Sequence, residues 1–190
     1  MISTQTLDKI SLFSEHDEKP ETNKNYLRLV SNHLCPFVER ARLALEAKKL
    51  QYQELEVDLQ RKTKWHLDLN GGLVPVLETT DGKLICESDV IMEHLDNAYK
   101  GQGYDLYPSD PEKLAAMKID SSKLLDGLTA NFYGALLARG SPQSIEGLIK
   151  YLEKTEKLFE EFNKENVFAL DQPHPTFADL LMLPHLDRLY

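Results

Sequence analysis

Residues 26–45 read YLRLVSNHLCPFVERARLAL. A short apolar run, Tyr26 to Val30, stops at Ser31-Asn32-His33, and Cys35-Pro36 follows. Beyond the proline, Val38, Ala41, Ala44 and Leu45 recur at helical spacing among charged residues. The pattern predicts strand, turn and helix. Cys35 falls at the turn, and Pro36 at the first helical position, where a missing N–H costs nothing. A thiol there lies at the positive end of the helix macrodipole and within reach of unpaired backbone N–H groups, and both favour the thiolate. Cys35 is therefore the candidate reactive group. The competing reading is a buried cysteine acting as a small hydrophobe.

The same βα start continues into a domain. Gln51 to Leu59 alternates at Leu55, Val57 and Leu59 and predicts a second strand, so that a right-handed parallel crossover joins the two. Gln60 to Asn70, around Trp65, predicts a short irregular helix. Leu73 to Glu78 and Lys83 to Cys86 flank Asp81-Gly82, a hairpin signal. Ser88 is placed as the cap of a helix running through Ile91, Leu95 and Ala98. This βαβ–ββα order is that of a thioredoxin-like α/β domain, assigned to residues 25–104, after a polar tail over 1–24.

Gly101 to Pro111 has linker composition, and residues 105–190 are wholly helical in pattern. Leu114, Met117, Leu124, Leu125, Leu128, Phe132 and Leu136 predict one long amphipathic helix. A second follows Gly140-Ser141-Pro142, with Ile145, Leu148, Ile149, Leu152, Phe159 and Phe162 on one face. Thr176 to Asp179 opens a third as a short capping box, and Pro184 inside it is expected to kink or loosen it.

Bulk properties narrow the function. With 22 basic and 31 acidic residues among 190, the net charge is −9, which argues against nucleic-acid or anionic-membrane partners. No apolar run approaches the ~20 residues of a membrane span. The start, MISTQTLDKISLFSEHDEK, lacks the basic flank and apolar core of a signal peptide, and a cytoplasmic location is expected. The two cysteines are Cys35 and Cys86. The residue three after Cys35 is Val38, so any disulfide made by Cys35 needs an external thiol to resolve it. Cys86, in Leu84-Ile85-Cys86, is expected to be a buried strand residue. His33, two before Cys35, can be drawn as a base but reads as a bystander. The histidines show no ligand spacing, and no metal is expected.

With these residues in hand, the chain resembles the cytosolic glutathione transferases of the omega class. The matching pieces are Cys35-Pro36-Phe37 with Glu39-Arg40 and Arg42-Leu43, Lys62 three before Trp65, Gly72 to Glu78, and Glu87-Ser88. The Thr176 to Leu189 segment resembles that family's capping-box helix, its proline included. The resemblance implies the glutathione-transferase fold, with Cys35 catalytic and Phe37, Lys62, Val74, Pro75, Glu87 and Ser88 binding glutathione as co-substrate. It implies a cis bond before Pro75, so that the backbone of Val74 faces the cysteinyl part of the ligand; read alone, the proline would be an ordinary trans residue on an edge strand. Glu87-Ser88 would meet the γ-glutamyl ammonium and carboxylate at a helix start, and Lys62 the glycyl carboxylate. Read alone, Ser88 is a cap, Lys62 a solvated charge and Phe37 packing. Where the family has Pro-Phe before Gly-Leu-Val-Pro, this chain has Asn70-Gly71-Gly72 and is one residue shorter.

The chemistry the resemblance implies is glutathione-dependent thiol transfer and dehydroascorbate reduction through a Cys35–glutathione mixed disulfide. Reduction of methylated arsenic and weak conjugation of electrophiles are also implied. Small disulfides, glutathionylated proteins and dehydroascorbate would be partners, and the protein a homodimer. Two alternatives start from the same residues. One is a plant-type dehydroascorbate reductase. The other is a non-catalytic relative, either a structural scaffold or an intracellular chloride-channel-like protein that inserts its first helix in membranes. Here that helix carries Glu39, Arg40, Arg42, Glu46, Lys48 and Lys49, and each charge at a bilayer centre costs at least ~2.5 kcal/mol, against insertion. Family members continue past the third helix of the second domain, so residues 105–190 are expected to be either a shortened helical domain or the first part of a longer one.

Overall fold

The computed structural model describes residues 6–189, with side chains from Leu12 onward. It divides into two compact units, Met1–Asp105 and Leu106–Tyr190.

The first unit is built on a five-stranded sheet: β1 (Thr6–Phe13), β2 (Leu27–Ser31), β3 (Tyr52–Val57), β4 (Val76–Glu78) and β5 (Leu84–Cys86), in the order β1-β3-β2-β4-β5. β2 and β3 run parallel, with Leu27 opposite Tyr52, and β4 is antiparallel to both β2 and β5. The expected βαβ and ββα units are both present. Every residue of β2 is buried, because the strand is central. Its one charged side chain, Arg28, faces Glu78 in register on β4, and the two form an ion pair at 2.5 Å.

β1 corrects the reading of residues 1–24 as a tail. Thr6–Phe13 pairs in parallel with β3 as the edge strand, and the Asp58 N–H donates to the Phe13 carbonyl at 2.8 Å. Residues 1–5 lie outside the described residues. Residues 19–22 are also held: Lys19 and Thr22 donate to Glu78, and the Arg28 guanidinium donates to the carbonyls of Pro20 and Glu21.

Three helices complete the unit: α1 (Pro36–Ala47), α2 (Lys64–Asn70) and α3 (Ser88–Ala98). α1 and α3 pack on one another, with Val38, Ala41, Ala44 and Leu45 of α1 and Ile91, Met92 and Leu95 of α3 all at 0% exposure. Trp65 and Leu69 of α2 pack against Val30, Leu55, Val57 and Val76 of the sheet. α2 is regular: Thr63 caps it by accepting from the His66 N–H, and Gly71 ends it at φ 59°. Past α3, Lys48 is fully buried and bridges Asp96 at 3.0 Å and Asp105 at 2.9 Å, fixing the end of the unit to α1.

The second unit holds α4 (Pro111–Leu125), α5 (Leu128–Leu137), α6 (Pro142–Phe162) and α7 (Phe177–Leu186). The single long helix expected from Leu114 to Leu136 is two. Gly127, at φ 96°, breaks it. The groups exposed by the break find partners: Tyr151 Oη donates to the Leu124 carbonyl and Asn131 Nδ2 to that of Gly127, each at 2.8 Å. Leu124, Leu128, Leu148, Tyr151, Ala178 and Met182 form this unit's core. Thr176 and Asp179 make the expected capping box. α7 continues through Pro184, and Arg188 donates to the carbonyl of Pro184 at 2.7 Å.

Candidate active site

Cys35 is the N-cap of α1, and Pro36 is its first helical residue. The thiol is partly exposed and makes no disulfide. The turn that carries it is fixed by Asn32. The Asn32 carbonyl accepts from the Cys35 N–H at 3.0 Å, its Oδ1 accepts from the Leu34 N–H at 3.0 Å, and its Nδ2 donates to the Val57 carbonyl at 2.9 Å. His33 is also held at this edge: Glu56 Oε1 accepts from its N–H and contacts its Nδ1. Helix α1 is further tied to β3 by Arg42, which bonds Glu54 at 2.8 and 2.5 Å and Glu39 at 2.8 Å. Neither Asn32 nor Glu56 stood out in the sequence. Both act across a strand pairing that local pattern does not reveal.

Next to this turn is an open cleft of ≈ 200 Å³, lined by Phe37, Asn70, Leu73, Val74, Pro75, Glu87 and Ser88. Phe37, two residues after Cys35 on α1, is the link between thiol and cleft. The Val74-Pro75 bond is cis. Five of the seven expected site residues therefore share one cavity. Cys35 and Lys62 stand outside its lining, Cys35 at the adjoining helix start and Lys62 beside Gly72.

Gly72 explains how Lys62 is held. Its φ is +72°, and a Cβ there would lie 2.6 Å from Lys62 Cδ and 3.2 Å from Lys62 Nζ. The lysine stem crosses the bare face of the glycine, so its ammonium ends beside the loop that leads to Leu73. His66 supports the same loop from below. It is fully buried, its carbonyl accepts from the Gly72 N–H at 3.2 Å, and its Nε2 lies 3.3 Å from the Leu73 carbonyl. Burial, reinforced by the charge of Lys62, pushes the His66 imidazole below its usual range, against the Leu73 contact that favours the charged form. Asn70, the last residue of α2, lines the cleft beside this loop.

At the other end, Glu87 and Ser88 begin α3. The cap itself is Glu87, not Ser88, which is the first helical residue. Glu87 has φ 68° and ψ 124°, a backbone conformation costing side-chain residues roughly 1–3 kcal/mol. A helix start of this kind offers unpaired N–H groups and the positive end of a dipole to an anion. Cys86, just before it on β5, is half-buried rather than buried. Burial, then the Glu87 carboxylate, pushes its thiol up.

Among the described residues no group of His, Cys, Asp and Glu is arranged to hold a metal ion, and no helix is long and apolar enough to cross a membrane. The cleft brings together the cis Val74-Pro75 bond and the start of α3, with Lys62 against the adjoining Gly72 and Cys35 at the start of the helix that carries Phe37.

Residues 34–98 match the family described as glutathione S-transferase, N-terminal domain. The chain is 32% identical over 166 residues to glutathione S-transferase omega-1 of Mus musculus, covering 86% of this chain and 67% of that one. It is 34% identical over 167 residues to glutathione S-transferase omega-1 of Sus scrofa, with the same coverage. Among solved structures, glutathione transferase Omega 3C from Trametes versicolor superposes with a TM-score of 0.73 at 25% identity, covering 90% of this chain and 74% of that one.

Proposed function

The chain belongs to the omega class of the glutathione transferases, and on that premise we propose that it carries out glutathione-dependent thiol transfer and dehydroascorbate reduction through Cys35. Glutathione lies extended along the cleft. Its cysteinyl unit pairs with the backbone of Val74, Ser88 and the α3 start take the γ-glutamyl carboxylate, and Glu87 takes the ammonium. Lys62 meets the glycyl carboxylate, and Phe37 packs beside the ligand. The ligand's sulfur then faces the α1 N-terminus.

With a glutathione mixed disulfide as substrate, the Cys35 thiolate attacks the glutathionyl sulfur. The substrate's S–S bond breaks, the other thiol departs as a thiolate and is protonated by water, and a Cys35–glutathione disulfide forms. With dehydroascorbate, Cys35 and one glutathione supply two electrons and two protons and end as the same disulfide. In either case a second glutathione thiolate attacks the bound glutathionyl sulfur, frees oxidised glutathione and restores Cys35. With Val38 three residues on, the chain itself offers no resolving thiol at that position.

One observation carries this reading: Phe37, on the helix that Cys35 caps, shares a cleft with Val74, Pro75, Glu87 and Ser88. The test is a substrate panel of a mixed disulfide, dehydroascorbate and a conjugation electrophile, run on wild type, Cys35→Ala and Cys86→Ala with glutathione titrated. Cys35→Ala loses the first two activities and Cys86→Ala keeps most of them. Equal retention by both variants defeats the assignment.

A further inference from the structure

Two residues of the cleft wall, Phe37 and Ser88, share a buried neighbour that does not line the cleft. Arg40 is 8% exposed and Ser88 5%. The guanidinium carbon of Arg40 lies 4.8 Å from the centroid of the Phe37 ring, and its Nη1 lies 3.4 Å from Ser88 Oγ. Arg40 follows Phe37 by one turn of α1, so both leave the same face of that helix.

A guanidinium has five N–H donors and no acceptor. Toward Arg40, therefore, Ser88 Oγ can only accept. The hydroxyl's own proton must point elsewhere, and Ser88 opens onto the cleft. A hydroxyl that accepts from Arg40 keeps its proton for another partner, such as an acceptor in the cleft, and a permanent positive charge stands behind it. The cation–π contact also fixes the Phe37 ring as a wall.

We propose that Arg40 is a positioning residue that fixes Ser88 as a hydrogen-bond donor to the α-carboxylate of the γ-glutamyl unit. The proposal rests on the glutathione reading above. Arg40 acts through Ser88 on that carboxylate, and its contact with Phe37 bears on ligands with and without the carboxylate alike.

The test is calorimetric binding of two ligands to the intact protein. One is reduced glutathione; the other is γ-aminobutyryl-cysteinyl-glycine, which lacks only that carboxylate. Arg40→Met weakens glutathione binding on the order of tenfold more than it weakens binding of the analogue, the scale of one hydrogen bond to a charged group, any loss through the Phe37 contact being common to both ligands. In a Ser88→Ala background the same substitution adds little to that difference, because the relay is already cut. Should Arg40→Met not fold, Arg40→Gln, which keeps a polar stem without the charge, carries the same comparison. Equal losses for both ligands, no loss for either, or full additivity with Ser88→Ala makes Arg40 a strut and overturns the proposal. Wild type that binds neither ligand defeats the glutathione reading itself, whereas glutathione binding indifferent to Arg40 defeats only this inference.

Discussion

Asn32 donates its side-chain N–H to the carbonyl oxygen of Val57 at 2.9 Å, hanging the turn that carries Cys35 on the end of β3. The same side chain accepts from the Leu34 N–H, so one buried carboxamide fixes the turn in two directions. Asn32→Ala is expected to cost about 1–3 kcal/mol, the price of a buried hydrogen-bonding group left without its partner, read from urea denaturation. Because Asn32 does not line the cleft, kcat for mixed-disulfide reduction should fall more than KM for glutathione rises. Asn32→Asp, which sets a buried carboxylate oxygen against the Val57 carbonyl oxygen, should cost at least as much.

Gly72 and Lys62 form a steric pair. An alanine at 72 would place its Cβ 2.6 Å from Lys62 Cδ at a φ of +72°, so the flexible lysine must leave. Gly72→Ala should raise KM for glutathione by several-fold and cost roughly 1 kcal/mol in backbone strain. Lys62→Ala should raise KM similarly without that loss of stability. The double variant should be no worse in KM than either alone, since both remove the same ammonium. Additive effects on KM would separate the two residues.

Glu87 sets stability against binding. Glycine adopts positive φ freely, so Glu87→Gly should raise the unfolding free energy by about 1 kcal/mol or more while weakening glutathione binding through the lost carboxylate. Thermal melting and glutathione titration on one preparation check both halves. A destabilised Glu87→Gly would contradict the strain.

The pH dependence of stability should carry the mark of Glu78. Burial opposes its ionisation, but bonds from Thr22, Arg28 and Lys19 outweigh burial and hold the carboxyl below its usual 4.5. The folded state therefore binds fewer protons there than the unfolded state. Its contribution is complete above that ordinary value and is lost as pH falls below 4.5 toward the folded value. Glu78→Gln should show a shallower acid decline below pH 4.5, and lower stability at neutral pH, where Arg28 stays buried without its counter-charge. Denaturation curves across that range test both.

The elements legible from sequence were those whose signals are local. The alternation at Leu55 and Val57, the Asp81-Gly82 turn and the Cys35-Pro36 helix start each sit within a few residues of what they specify. β1 was not legible because its partner, β3, lies more than thirty residues downstream, and the polar residues between look like tail. The break between α4 and α5 was hidden because Leu124 and Leu128 keep helical spacing across Gly127. Site residues carried by the family likeness could be named, but the supports behind them could not. Asn32, Glu56, His66 and Arg40 act through contacts that exist only once the sheet and helices have closed.

The most direct measurement is intact-protein and peptide mass spectrometry after brief exposure of wild type to oxidised glutathione near neutral pH. The account predicts one glutathione adduct, carried by the Cys35 peptide and removed by reduced glutathione, with Cys86 unmodified because partial burial and then the Glu87 carboxylate push its thiol up and keep it protonated. An adduct on Cys86 alone, or no adduct on Cys35, would contradict it.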